Sequence, residues 1–354
     1  MQAAVLTDIQ KVEIKNVPEP SMPEGGLLIE VATCAICGTD VKMYRHGYAA
    51  VRLPLIPGHE LAGTIVQSGA DEAGYTVGNR VTINPNIPCG VCYYCRRGLQ
   101  TACDNLNITG VHRNGGFARL VTIPARAVEQ GCVFHIPENV TFEEAALIDP
   151  ASCAVNAAEL SGVKPGDTVA VIGAGPAGCL NVEVCKAVGA SKIVLIQRSP
   201  QRLENAGFTG ADVYVNSSLE DPVERILAET GGRGADAVIV ACASREAQEE
   251  AVRMVAKRGN VNYFGGLAKT DKEGTASPFI QFDSNLIHYK ESSITGTHGG
   301  SNRHCELALN MLSSGRIRAK EYISFRFNLS HFQEALKTAE DKKGLKVFVN
   351  PDSF

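Results

Sequence analysis

The stretch "CGVCYYCRRGLQTAC" sets Cys89, Cys92, Cys95 and Cys103 in C-x2-C-x2-C-x7-C spacing. Four thiolates this close on a polar loop can complete a tetrahedral shell around zinc. Such a shell leaves no position for a substrate, which is the chemistry of a structural metal. Iron–sulfur clusters use similar thiolate sets, but nothing else in the chain suggests electron transfer. A second set of donors is dispersed: Cys37 in "CAICGTD", His59 and Glu60 in "PGHE", and Asp149 in "LIDP". Thiolate, imidazole and carboxylate together suit a catalytic zinc, which keeps a coordination position for water or substrate. Taken singly, each residue also has a structural use. His59 can be a hydrogen-bonded buried histidine and Asp149 a helix cap. The pair Cys34-x-x-Cys37 further fits a redox dithiol.

The third cluster is glycine-rich. "VAVIGAGPAG" places Gly173, Gly175 and Gly178 in G-x-G-x-x-G spacing, with Pro176 and Ala177 between the last two. The run follows an apolar strand and opens a helical pattern, the context of a dinucleotide-binding turn. Its first glycine permits the tight turn, its second lets a pyrophosphate approach the backbone, and its third allows close helix–strand packing. A carboxylate for the adenine ribose is expected about twenty residues further on. Here the stretch reads "IQRSPQRL", with Gln197, Arg198, Ser199 and Arg202. A neutral amide beside guanidinium groups removes repulsion against a 2′-phosphate and supplies charged donors for it. NADP is therefore the expected cofactor, with NAD the alternative should both arginines face solvent.

These clusters need two kinds of scaffold. The first 150 residues carry short alternating segments such as "GGLLIEVAT" and "LAGTIVQSG", broken by Gly and Pro, which predict half-buried strands. From about Pro165 the pattern changes to continuous apolar runs, "TVAVI", "KIVLIQ" and "ADAVIVAC", alternating with helical stretches. That alternation predicts parallel β-α-β units. The chain thus divides into a β-rich domain over 1–155, a doubly wound Rossmann domain over 156–292, and a C-terminal return over 293–354, α/β in class. Its 354 residues and 44% hydrophobic content suffice for two cores. A net charge of −4 argues against a nucleic-acid or anionic-membrane surface. A zinc ribbon in a nucleic-acid-binding protein is the remote alternative for the cysteine loop. No secretory signal and no run of the roughly 20 apolar residues needed to span a bilayer is visible, so a cytoplasmic location is expected. Twelve cysteines in that setting read as thiols or metal ligands rather than disulfides.

The ordered set "CGTD", "GHE", the four-cysteine loop, "NGGFARLVTIP" and "VIGAGPAG" resembles the zinc-dependent medium-chain dehydrogenases, almost end to end. It is most similar to the branch containing sorbitol, galactitol-phosphate and threonine dehydrogenases. The resemblance implies a GroES-like catalytic domain and two zinc ions per chain, one catalytic and one structural. The implied activity is reversible oxidation of a secondary alcohol, a polyol or sugar alcohol in free or phosphorylated form. It implies that Cys37 ligates the catalytic zinc with His59 and a carboxylate, Glu60 or Asp149, and that Thr39 passes the alcohol proton towards solvent. Cys34 then becomes a packed side chain. Tyr44 and His46, just beyond the zinc loop, are candidate substrate contacts. L-threonine 3-dehydrogenase is the nearest alternative, because Asp149 replaces the Glu usual in sorbitol-type enzymes. A homodimer or homotetramer is implied, with no nucleic-acid or membrane partner.

Overall fold

Alternation in the N-terminal third and continuous apolar runs in the middle produce two different sheets in the computed structural model, which describes residues 1–267 and 277–351. One unit comprises residues 1–152 and the C-terminal stretch from Gly299; the other is Cys153–His298.

The first unit is built on a seven-stranded sheet. Its order is Ile323–Asn328, Lys346–Asn350, Leu27–Ala35, Glu60–Ser68, Arg80–Ile83 and Val133–His135, with Leu120–Ile123 also pairing on Leu27–Ala35. The C-terminal strand Lys346–Asn350 thus lies directly beside Leu27–Ala35, antiparallel, with Phe348 opposite Ala35 and Val349 opposite Cys34. Across the other edge of Leu27–Ala35, Ala35 faces Glu60 and Cys34 faces Leu61. Three neighbouring strands from segments far apart in sequence therefore end or begin together at one end of the sheet. The core beneath includes Ile29, Ile65, Phe117 and Phe332, the two rings meeting edge to face at 4.7 Å.

The second unit carries a six-stranded sheet in the order Val213–Asn216, Lys192–Gln197, Thr168–Ile172, Ala235–Val240, Val255–Tyr263, Ser293–Gly296, all parallel. Numbered along the chain this is 3-2-1-4-5-6, the doubly wound dinucleotide-binding order. Thr168–Ile172 is buried throughout, as a strand covered on both faces must be. Ser293–Gly296, expected with the C-terminal return, instead pairs with Val255–Tyr263 and closes this sheet. Its short, mixed sequence "SITG" carries no apolar run that would have announced it. Among the described residues no helix is long and apolar enough to cross a membrane.

Candidate active site

The strand ends just described deliver the dispersed donors. Leu27–Ala35 runs into Cys37, which caps the helix Gly38–His46; His59 precedes, and Glu60 begins, the next strand. One ligand atom each from Cys37, His59 and Glu60 lie within 4.8 Å of one another. The turn before His59 is tight. Gly58 has φ +98°, and a Cβ there would meet Cys34 Sγ at 2.8 Å and Phe117 at 2.9 Å. Only glycine brings the imidazole down onto this end of the sheet.

Asp40, third residue of the helix and 3% exposed, ties the two ligand segments together. Its Oδ2 accepts the Cys37 N–H at 2.9 Å and its Oδ1 the Gly58 N–H at 3.3 Å. Oδ1 also lies 3.7 Å from His59 Nδ1, an attraction between charges rather than a hydrogen bond. Burial raises the Asp40 carboxyl above its usual range. For His59 burial acts downward, but the Asp40 carboxylate and the Cys37 thiol outweigh it and hold the imidazole well above its ordinary value. Surroundings that favour a proton on His59 favour a metal cation there too. Lys346, 5% exposed, completes the cluster through an ion pair with Glu60 Oε2. Burial alone would lower its pKa; Glu60 and Cys37 more than offset that and raise it.

The structure fits a bound metal on a direct observation: Glu60 Oε1, beside Cys37 and His59, is buried with no hydrogen-bond partner. Buried polar atoms are rarely left so, and a cation satisfying the cluster removes the cost. Asp149 stands apart from the three-donor group. It sits in the first turn of the helix Ile148–Leu160, 7% exposed. Burial pushes its carboxyl up to about 6, with His59 opposing.

The other named residues fall as follows. Thr39 is half-buried, two positions beyond Cys37 on the helix. Tyr44 lines a groove with Gln10, Val12, Gln333, Leu336 and Glu340, while His46 is exposed. Cys34 is fully buried on its strand, its thiol pushed well up by burial, and so behaves as a packed side chain. Of the basic residues near the zinc loop, Arg45 pairs with Glu340 and Lys42 lies over the Tyr48 ring. Asp40 and Lys346 join the site through their contacts in the fold. Asp40 stands at the capping-box spacing from Cys37, a legible signal; Lys346 offers none.

Cys89, Cys92, Cys95 and Cys103 form the second group within 4.8 Å. The Cys89 and Cys95 sulfurs are 4.0 Å apart, against about 3.8 Å for the edge of a tetrahedron with ~2.3 Å zinc–sulfur bonds. Backbone N–H groups already point at these sulfurs. Cys89 N–H donates to Cys103 Sγ and Cys95 N–H to Cys92 Sγ, and the latter leads in lowering Cys92 to about 6. None of the twelve cysteines is joined in a disulfide.

In the second unit the glycine turn has the expected form. A Cβ on Gly178 would stand 1.6 Å from the Gly173 carbonyl oxygen, so helix and turn touch there. A Cβ on Gly175 would meet nothing within 4 Å, leaving open space where a pyrophosphate would lie. Gly175, Pro176 and Ala177 are half-buried at the start of the helix Pro176–Val188, whose N-cap makes no side-chain hydrogen bond. Gln197 ends its strand opposite Asn216. Ser199 caps the helix Pro200–Asn205, which carries Arg202, half-buried; Arg198 is exposed.

A donor set at the ends of neighbouring strands, a four-thiolate lobe and a parallel nucleotide-binding sheet together define a zinc-binding dehydrogenase. Residues 23–137 match the description "Alcohol dehydrogenase GroES-like domain" and residues 176–314 match "Zinc-binding dehydrogenase". The chain is 31% identical to the sorbitol dehydrogenase of Bacillus subtilis, over 99% of this chain and 98% of that one. It is 32% identical to the L-threonine 3-dehydrogenase of Pyrococcus furiosus, over 95% and 94%. A zinc-binding dehydrogenase of Sinorhizobium meliloti 1021, solved with NADP bound, superposes with a TM-score of 0.90 at 30% identity, covering 99% of both chains. The protein belongs to the zinc-containing medium-chain alcohol dehydrogenases. It is a zinc-dependent alcohol or polyol dehydrogenase using NAD(P), and the zinc-ribbon alternative falls with that membership.

Proposed function

We propose that the enzyme interconverts a secondary alcohol of a polyol or sugar alcohol with its ketone, with NADP preferred over NAD. The observation that carries this reading is the Cys37–His59–Glu60 set, with His59 and Glu60 buried and Glu60 Oε1 unpartnered. When bound, zinc lowers the pKa of an alcohol hydroxyl and the nicotinamide takes up the hydride. Cys37, His59 and Glu60 would hold the metal, and Asp40 fixes the backbone of Cys37 and of Gly58, the residue before His59. Asp149 is a nearby carboxylate that adds negative charge to the cluster. Thr39 Oγ1 accepts the alcohol proton and donates its own towards solvent. The burial of His59 and Glu60 keeps bulk water away from the developing charge. Cys89, Cys92, Cys95 and Cys103 hold the structural zinc.

The turn Gly173–Gly178 takes the pyrophosphate. Arg198 and Arg202 have no ion-pair partner among the described residues, so both are available to a 2′-phosphate. Charge-assisted contacts are worth about 1.5–3 kcal/mol each before desolvation. Cysteines used as thiols and metal ligands rather than disulfides fit a reducing, cytoplasmic setting, and the enzyme works as a homodimer or homotetramer. The second reading, L-threonine 3-dehydrogenase, is favoured by Asp149 and by the similarity to the Pyrococcus enzyme. Assay of polyols, sugar phosphates and L-threonine with both cofactors separates the two. Polyol turnover with NADP supports the first; turnover confined to L-threonine establishes the second.

A further inference from the structure

The ion pair between Lys346 and Glu60 is almost fully enclosed, its side chains 6% and 1% exposed. Burying an ammonium is costly, and an apolar pair of similar volume generally serves stability as well or better. Stability alone is therefore a poor reason for a lysine here. Its placement is set by register. Ala35 faces Phe348 on one side and Glu60 on the other. Lys346, two residues before Phe348, shares its face of the sheet. The side chain reaches the end where Cys37 leaves the strand, with Nζ 3.5 Å from the Ile36 carbonyl oxygen. Lysine carries donors only. It engages Glu60 Oε2 and leaves Oε1 buried without a partner, beside Cys37 and His59.

We propose that Lys346 is a positioning residue for the metal site: by occupying Oε2 it limits Glu60 to one donor oxygen. Glu60 is thereby a single-bond, replaceable ligand rather than a chelating one, which keeps a coordination position exchangeable with substrate. The inference rests on the reading that Cys37, His59 and Glu60 hold zinc. Lys346 does not touch the reacting atoms; it acts through Glu60.

The test uses the full chain with cobalt(II) in the Cys37 site and zinc left in the four-cysteine site, comparing wild type, Lys346→Met and Lys346→Arg. Freed from its lysine, Glu60 binds through both oxygens. The d–d absorption of Lys346→Met then loses intensity as coordination number rises, and chelator-driven metal release slows by about tenfold. Lys346→Arg, which still holds Oε2, retains the wild-type spectrum and release rate. A Lys346→Met protein with wild-type spectrum and release overturns the proposal, since a packing role would move neither. If Lys346→Met does not fold, Lys346→Gln, a neutral donor, is expected to shift both readouts the same way by less; wild-type values there overturn the proposal equally. Wild-type protein that takes no metal at Cys37 overturns the ligand reading itself, whereas normal loading indifferent to Lys346 overturns only this inference.

Discussion

The two metal sites differ in how far apart the chain keeps their parts. The four-thiolate lobe is contained between Cys89 and Cys103, on a loop whose own backbone N–H groups address the sulfurs. The Cys37 site draws on the ends of three neighbouring strands, and its Lys346–Glu60 contact joins residues 286 apart in sequence. The first is nearly a local structure and can be spoiled only locally. The second is a product of the whole sheet, so it can be disturbed from residues that never meet the metal. One site offers four thiolates; the other combines a thiolate, an imidazole and a carboxylate.

That contrast is broken most severely by removing a donor on each side. Cys37→Ala is expected to reduce alcohol oxidation to background while NADPH binding, measured by cofactor fluorescence titration, stays near wild type. Cys103→Ala is expected to act on stability instead. It should lower Tm by about 6–12 °C, as about 3 kcal/mol would in a domain of this size, with turnover persisting in the fraction still folded. If Cys103→Ala left Tm unchanged, the lobe would not be a folding element.

Asp40→Asn sharpens the comparison, because it alters no ligand. The amide cannot keep both backbone contacts and the attraction to His59, so metal affinity or kcat should fall by about 10–100-fold. Arg198→Ala reaches further from the metal. It should erode a preference for NADP of about tenfold in kcat/KM, equivalent to ~1.4 kcal/mol, with KM for NAD little changed. Equal turnover with both cofactors in the wild type would show that Arg198 and Arg202 serve solvent alone. The smallest effect belongs to Cys34→Ala, which should cost about 1–2 kcal/mol of packing in denaturant unfolding and leave activity intact. Inactivity with both metals retained would return the dithiol reading to the field.

What the sequence made legible follows the same division. Cys89 to Cys103 and Gly173 to Gly178 are short motifs whose spacing is itself the geometry, and both appear as the residue types demand. Cys37, His59 and Glu60 could be gathered because each sits in a compact motif at a strand end. Asp40 lay within reach, its position in "CGTD" being that of a capping residue. Lys346 had no such signal: "GLKVFVN" reads as an ordinary terminal strand, and only antiparallel pairing with Leu27–Ala35 brings it to Glu60. Strand Ser293–Gly296 is hidden for the same reason, since its partner and not its composition makes it part of the parallel sheet.

Metal counting tests most directly whether this chain builds two separate zinc sites of opposite kind. Elemental analysis of the purified wild-type protein, Cys37→Ala and Cys103→Ala should give two zinc ions per chain, then one, then one, with chelation of the Cys37 site removing activity before it affects Tm. A wild-type protein holding a single zinc, or iron with a visible chromophore, would contradict the account.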